Sequence, residues 1–135
     1  MIPVLGYMER SAQGLGLTSQ TAFFWATGML SALLDNAPTY LVFFAATRGV
    51  HGFDLNDVSR VARLIGENGS ELIAVSLGAT FFGALTYIGN APNLLVKTIA
   101  EHAQAPVPSF IAYIWKFAIP ILIPIFVVIS VLFFH

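Results

Sequence analysis

The sequence predicts an all-α integral membrane protein, and three observations carry that prediction. First, 57% of its 135 residues are hydrophobic and 10% are charged, against about 25% charged in an ordinary soluble domain. Second, the runs Ser11–Leu34, Leu72–Val96 and Phe117–Phe134 contain no Asp, Glu, Lys or Arg. A membrane-crossing helix needs ~20 mostly apolar residues, and a soluble core of this size has no use for so much apolar surface. Third, two of these hydrophobic stretches are broken by similar polar, proline-bearing sequences, Asp35-Asn36-Ala37-Pro38-Thr39 and Gly89-Asn90-Ala91-Pro92-Asn93.

The elements follow in chain order. Residues 1–17 read as the end of a preceding helix and an interfacial segment, because Tyr7, Glu9 and Arg10 interrupt the apolar pattern and Gly14 and Gly16 loosen it. Residues 18–47 read as a re-entrant hairpin. Thr18 or Ser19 caps its first arm, Thr21–Leu34, since short hydroxyls accept hydrogen bonds from free amides at helix starts. At 1.5 Å per residue that arm spans about 20 Å, too short to cross alone. The polar break at 35–39 leads to a shorter arm, Tyr40–Ala46.

Residues 48–70 form the polar loop. Leu55, Val58, Val61, Ala62 and Ile65 recur at helical spacing among Arg48, His51, Asp54, Asp57, Arg60, Arg63 and Glu67, the pattern of an amphipathic helix on a membrane surface. Residues 71–102 read as a broken helix with arms Glu71–Ala84 and Leu94–Glu101. Pro106 and Pro108 mark the connection, since neither continues a helix. Residues 109–134 are the final crossing. Pro120 and Pro124 kink it, which transmembrane helices tolerate when neighbours satisfy the freed carbonyls. If the hairpin is re-entrant, Arg10, Arg48, Arg60 and Arg63 share one side, cytoplasmic by the positive-inside rule.

The chemistry lies at the two breaks. Breaking a helix in an apolar medium frees backbone groups, and each unsatisfied one costs several kcal/mol. Freed carbonyls at half-helix C-termini suit a cation such as Na⁺, and freed amides at half-helix N-termini suit an anion. Paired breaks of this kind are the best pointer in a sequence to a transporter site. Asp35 is a carboxylate between two apolar arms and is therefore the candidate for proton and ion coupling. It equally suits the N-cap of the following arm. Lys97 and Glu101, one turn apart, read as an interfacial ion pair, and Lys116 reads as a snorkelling cation.

Other classes are excluded. A net charge of −1 offers no basic stripe for nucleic acid, and the absence of cysteine removes disulfides and thiolate chemistry. No nucleophile triad, phosphate loop or metal-ligand spacing occurs, so the reading is of no enzyme and no resident cofactor, with Na⁺ and H⁺ as transported or coupling ions.

The stretches S-A-L-L-D-N-A-P-T-Y-L-V-F-F and G-A-L-T-Y-I-G-N-A-P-N-L-L-V-K-T-I-A-E closely resemble bacterial sodium:proton antiporter-like proteins, also filed as citrate transporters, of the ion transporter superfamily. The resemblance runs from about Phe24 to Glu101. It implies the second of two inverted repeats, comprising a re-entrant hairpin, a broken helix and a final crossing. It also implies a longer transporter with a first repeat, a homodimer when complete, in the bacterial inner membrane. Asn36 then matches the hairpin-tip asparagine that contacts ion and substrate, and Ser31 falls at an ion-ligating hydroxyl. Gly89 falls at a sodium-ligating carbonyl and Asn90 at a substrate-facing position. Ser31, Asn36 and Gly89 are thus the candidate Na⁺ ligands, while Thr39, Thr86 and Asn93 complete the ion- or substrate-binding set.

The carboxylate carriers have Ser-Asn-Thr at the tip, where this chain has Asp35-Asn36-Ala37. That substitution tilts the expectation towards sodium/proton antiport, since like charges repel strongly in a low-dielectric site. Two alternatives stand beside it: cation-coupled transport of citrate or a dicarboxylate, and a truncated membrane fragment with no transport of its own.

Overall fold

In a computed structural model that describes Tyr7, Gly14, Gly16, Leu17, residues 19–51 and residues 58–134, every regular element is helical. Ser19 starts α1 (Gln20–Ser31) by accepting from the Ala22 amide at 3.2 Å. A turn over residues 32–35 leads into α2 (Asn36–His51). There follow α3 (Val58–Glu67), α4 (Gly69–Phe82) with a 3₁₀ turn at Gly83–Leu85, α5 (Ala91–His102) and α6 (Phe110–Phe133).

Both breaks end earlier than the sequence suggests. The hairpin break is 32–35 rather than 35–39, and the second non-helical stretch is 86–90 rather than 86–93. The reason is where proline is tolerated. The first four amides of a helix have no intrahelical partner, so Pro38 and Pro92 forfeit nothing in the first turns of α2 and α5. Each N-A-P triplet is therefore a helix start. The Asp35 carbonyl accepts from the Thr39 amide at 3.3 Å, and the Asp35 carboxylate accepts from the Asn36 amide at 2.8 Å.

A second correction concerns the far end of the hairpin. α2 continues to His51, past the boundary expected at 47, and Thr47 and Arg48 are buried within it. The hydroxyl of Thr47 donates to the Phe43 carbonyl at 3.0 Å. The amphipathic helix appears as α3, on which Ile65 is exposed. Leu55, Asp54 and Asp57 lie outside the described residues, as do Thr18, Glu9 and Arg10.

Among the described residues, α6 is the one helix long and apolar enough to cross a bilayer. Its 24 residues span about 36 Å, against ~30 Å of hydrocarbon. Ser109 caps it, and residues Ile114–Leu122 widen into π turns around Pro120. A proline that cannot donate, together with the extra residue of a π turn, is a recognised cause of such local widening. Helices α1 and α2 are too short to cross alone, at roughly 18 and 24 Å, and form a helical hairpin.

The core is the seam between α1 and α4. Phe23, Phe24, Val75 and Phe82 are completely buried there. Phe24 meets Phe82 edge-on at 5.3 Å, and Phe82 stacks on Phe126 of α6 at 4.4 Å. The backbones approach so closely that a β-carbon on Gly78 would stand 2.5 Å from the Phe24 carbonyl oxygen. Three polar bonds fasten α6 to this seam. Thr21 Oγ1 donates to the Phe134 carbonyl at 2.6 Å, Trp25 Nε1 to Ser130 Oγ at 3.1 Å, and the Tyr113 hydroxyl to the Ala84 carbonyl at 2.8 Å.

This seam predicts that Gly78→Ala destabilises the fold by about 1–3 kcal/mol, the usual cost of overpacking. Thermal unfolding in detergent, followed by fluorescence of Trp25 and Trp115, reads the loss as a lowered midpoint. An unchanged midpoint would contradict the close approach.

Candidate functional site

Four helix ends meet beside the Asn36 side chain. The C-terminal end of α1 contributes Ser31, and the C-terminal end of α4 contributes the carbonyls of Ala79 and Gly83. The first residue of α2 is Asn36 itself, and Gly89-Asn90 lead into α5. The partial charges sort accordingly. Two C-terminal ends present carbonyl oxygens, and two N-terminal ends present the positive pole of the helix dipole, the Asn36 backbone amide being taken by the Asp35 carboxylate.

The Asn36 amide lies against three oxygens: Ser31 Oγ, the Ala79 carbonyl and the Gly89 carbonyl. With its nitrogen turned inward it stands 2.9 Å from each. Ser31 Oγ in turn donates to the Ala79 carbonyl at 2.5 Å. An amide nitrogen carries two protons, so it serves three acceptors only by sharing. The cluster therefore holds more lone pairs than protons. Turning the amide over would add a fourth oxygen and remove both protons, leaving a cradle that a small hard cation satisfies.

Two neighbours fix this geometry. A β-carbon on Gly83 would stand 2.4 Å from the Asn36 amide atom that faces the cluster and 2.8 Å from the Gly89 carbonyl, so only glycine fits there. Thr86 joins the two breaks. Its hydroxyl donates to the Ala32 carbonyl at 2.6 Å and accepts from the amides of Gly89 at 2.9 Å and Ile88 at 3.2 Å. One proton and two lone pairs are the whole capacity of a hydroxyl, and all three are engaged. Thr86 thus acts on the site by orienting Gly89.

The remaining sequence-predicted residues are placed as follows. Asn93 reaches the Gly83 carbonyl through Nδ2 at 3.4 Å. Asn90 is half-buried at the start of α5, and its side chain makes no capping bond. Thr39 is fully buried one turn into α2, with no hydrogen bond to its hydroxyl among the described residues. Asp35 is exposed at the hairpin tip, outside the oxygen cluster. The structure thus brings Ser31, Asn36, Thr86, Gly89 and Asn93 together.

Sequence reasoning missed the carbonyls of Ala79 and Ala32 and the contact role of Gly83. A carbonyl carries no signature in its residue type. Gly83, placed just ahead of the break, was the one available signal. An open cleft between α2 and α4, lined by Asn36, Tyr40, Ser76, Ala79 and Thr80, reaches the cluster from one side.

Residues 1–134 match the family described as "Putative citrate transport". The chain belongs to that family. No curated protein and no solved structure matches it. Membership, with a helix among the described residues apolar and long enough to span a bilayer, makes this a membrane protein of the transporter class.

Thr86→Val in this family member keeps the side chain's shape and removes its hydroxyl. It strands the Ala32 carbonyl and two amides, and buried groups left without partners cost about 1–3 kcal/mol each. Thr86→Ser should stay near wild type. Hydrogen exchange at the Gly89 amide checks this, accelerating in the valine variant and holding in the serine variant.

Proposed function

We propose that this chain supplies one half of the binding site of a secondary transporter that couples Na⁺ to a citrate-like carboxylate. The observation that carries the reading is the meeting of four helix ends of opposite polarity. Carbonyl-rich C-terminal ends of broken helices favour Na⁺, and N-terminal ends favour anionic substrate groups. Here both kinds adjoin one asparagine. Ser31 Oγ, Asn36 Oδ1 and the carbonyls of Gly89 and Ala79 would ligate the ion, with the Asn36 amide turned over to present its oxygen. The N-terminal turns of α2 and α5, with Asn90 and Asn93, would face the carboxylate. The hairpin α1–α2 would enter and leave the membrane on one side, and a matching repeat would complete each site. The family's description supports the substrate class.

Sodium/proton antiport is the second reading, and Asp35 is the observation that favours it. Its carboxylate stands at the tip, one residue before Asn36, where it would bind a proton or Na⁺ in turn. That exposed position outside the oxygen cluster makes it the weaker of the two readings.

Uptake of labelled citrate by proteoliposomes under an inward Na⁺ gradient tests the first reading in the full transporter. Uptake should require Na⁺. Asn36→Ala should raise the Na⁺ concentration for half-maximal uptake about fivefold, the worth of one neutral ligand at about 1 kcal/mol. Uptake indifferent to Na⁺ would end it. In the antiport reading, Na⁺ without citrate moves protons in everted vesicles, and Asp35→Asn abolishes that movement.

A further inference from the structure

A second cleft lies between α5 and α6, about 240 Å³ in volume and lined by Tyr87, Asn93, Lys97, Ala100, Val107 and Tyr113. That is below the usual size of a drug-sized pocket and suits a small acid. Its walls are aromatic. Tyr87 and Tyr113 stack at 4.5 Å, and their hydroxyls turn away to donate to the carbonyls of Pro108 and Ala84. Neither hydroxyl proton is therefore offered to the cleft. Its one full positive charge is Lys97, whose ammonium sits 5.5 Å from the centre of the Tyr87 ring.

The partner of Lys97 is Glu101, one turn further along α5. The two differ in exposure. The Lys97 side chain is 18% exposed, whereas that of Glu101 is 48% exposed, so the cation is held in the cleft and the anion rests at its rim. An ammonium has three donors. Among the described residues Lys97 spends one on Glu101 and turns a face to Tyr87. Asn93 lines the same cleft and reaches the Gly83 carbonyl, which adjoins the Asn36 cluster. Asn93 and Lys97 are four residues apart, so they lie on one face of α5. That face runs from the junction of helix ends to the ammonium.

We infer that this cleft is a carboxylate subsite, in which Lys97 is the receiving cation and Glu101 is an internal stand-in that an incoming carboxylate displaces. The inference rests on the carboxylate reading above. A polycarboxylate would place one group at the α2 and α5 N-termini and another on Lys97, while Glu101 swings into solvent. No bond is made or broken; one ion pair replaces another.

The sign of one substitution separates this from a structural ion pair. Citrate binding to the full transporter, in lipid nanodiscs with Na⁺ present, is measured by calorimetry. Glu101→Gln removes the competitor and should tighten citrate binding severalfold. Lys97→Gln should weaken it about tenfold or more, the share of a charge-assisted hydrogen bond, and Lys97→Arg should retain it. The double variant should behave as Lys97→Gln alone. A structural pair predicts instead that both single glutamine variants lower the unfolding temperature and neither tightens binding. Unchanged or weaker citrate affinity in Glu101→Gln overturns the subsite, as does a wild-type protein that binds no citrate. The two readings fail differently. If Na⁺ has no influence on binding while Glu101→Gln still tightens it, the sodium-coupled reading falls and the subsite stands. If binding needs Na⁺ and Asn36 but ignores residue 101, the reverse holds.

Discussion

A helix that stops inside an apolar protein leaves carbonyls or amides without partners, and water is not at hand to take them. This chain stops four helices in one region. Each end solves part of the problem of another, so the Asn36 amide takes up carbonyls from α4 and from the stretch before α5. Thr86 likewise takes up a carbonyl from the end of α1 and two amides from its own break. The solution is incomplete in one respect. Around Asn36 one amide faces three oxygens with two protons, so its bonds are shared rather than made singly.

The arrangement needs a rigid frame, because lone pairs crowded together repel unless their positions are imposed. The α1–α4 seam imposes them. Packing at the Gly78 contact brings the backbones together, and the Phe24, Phe82 and Phe126 rings fill the space alongside. Ser31 and Ala79 are thereby held at 2.5 Å across that seam. The outer helices do the opposite. No residue of α5 is buried, and Trp115, Leu132 and Phe133 of α6 face outward. The outer helices thus keep apolar side chains on the outside, and the close packing lies near the polar centre.

Much of this was legible in the sequence. Charge-free runs gave the helical membrane class, and the repeated N-A-P gave the neighbourhood of both breaks. Ser31, Asn36 and Gly89 were reachable through resemblance, and the structure gathers them. The position of the breaks was not legible, because proline reads as an interruption although it is harmless in a first helical turn. The extension of α2 through Arg48 to His51 was hidden for a related reason: a polar side chain such as Arg48 looks like a loop until packing buries it. The meeting of Ala79 and Ala32 carbonyls with side chains from other segments depends on tertiary packing, to which residue type is blind.

The three hydrogen bonds of Thr86 have a mechanical meaning. Residues 32–35 and residues 86–89 are separate loops in the chain, yet one hydroxyl joins them, so neither swings without dragging the other or breaking the joint. Together they behave as one lintel over Asn36. The side left unbolted is the cleft between α2 and α4, where the hydroxyls of Ser76 and Thr80 donate back to carbonyls of their own helix and bridge nothing. The open flank of the hairpin is therefore the cleft side, away from the Thr86 joint.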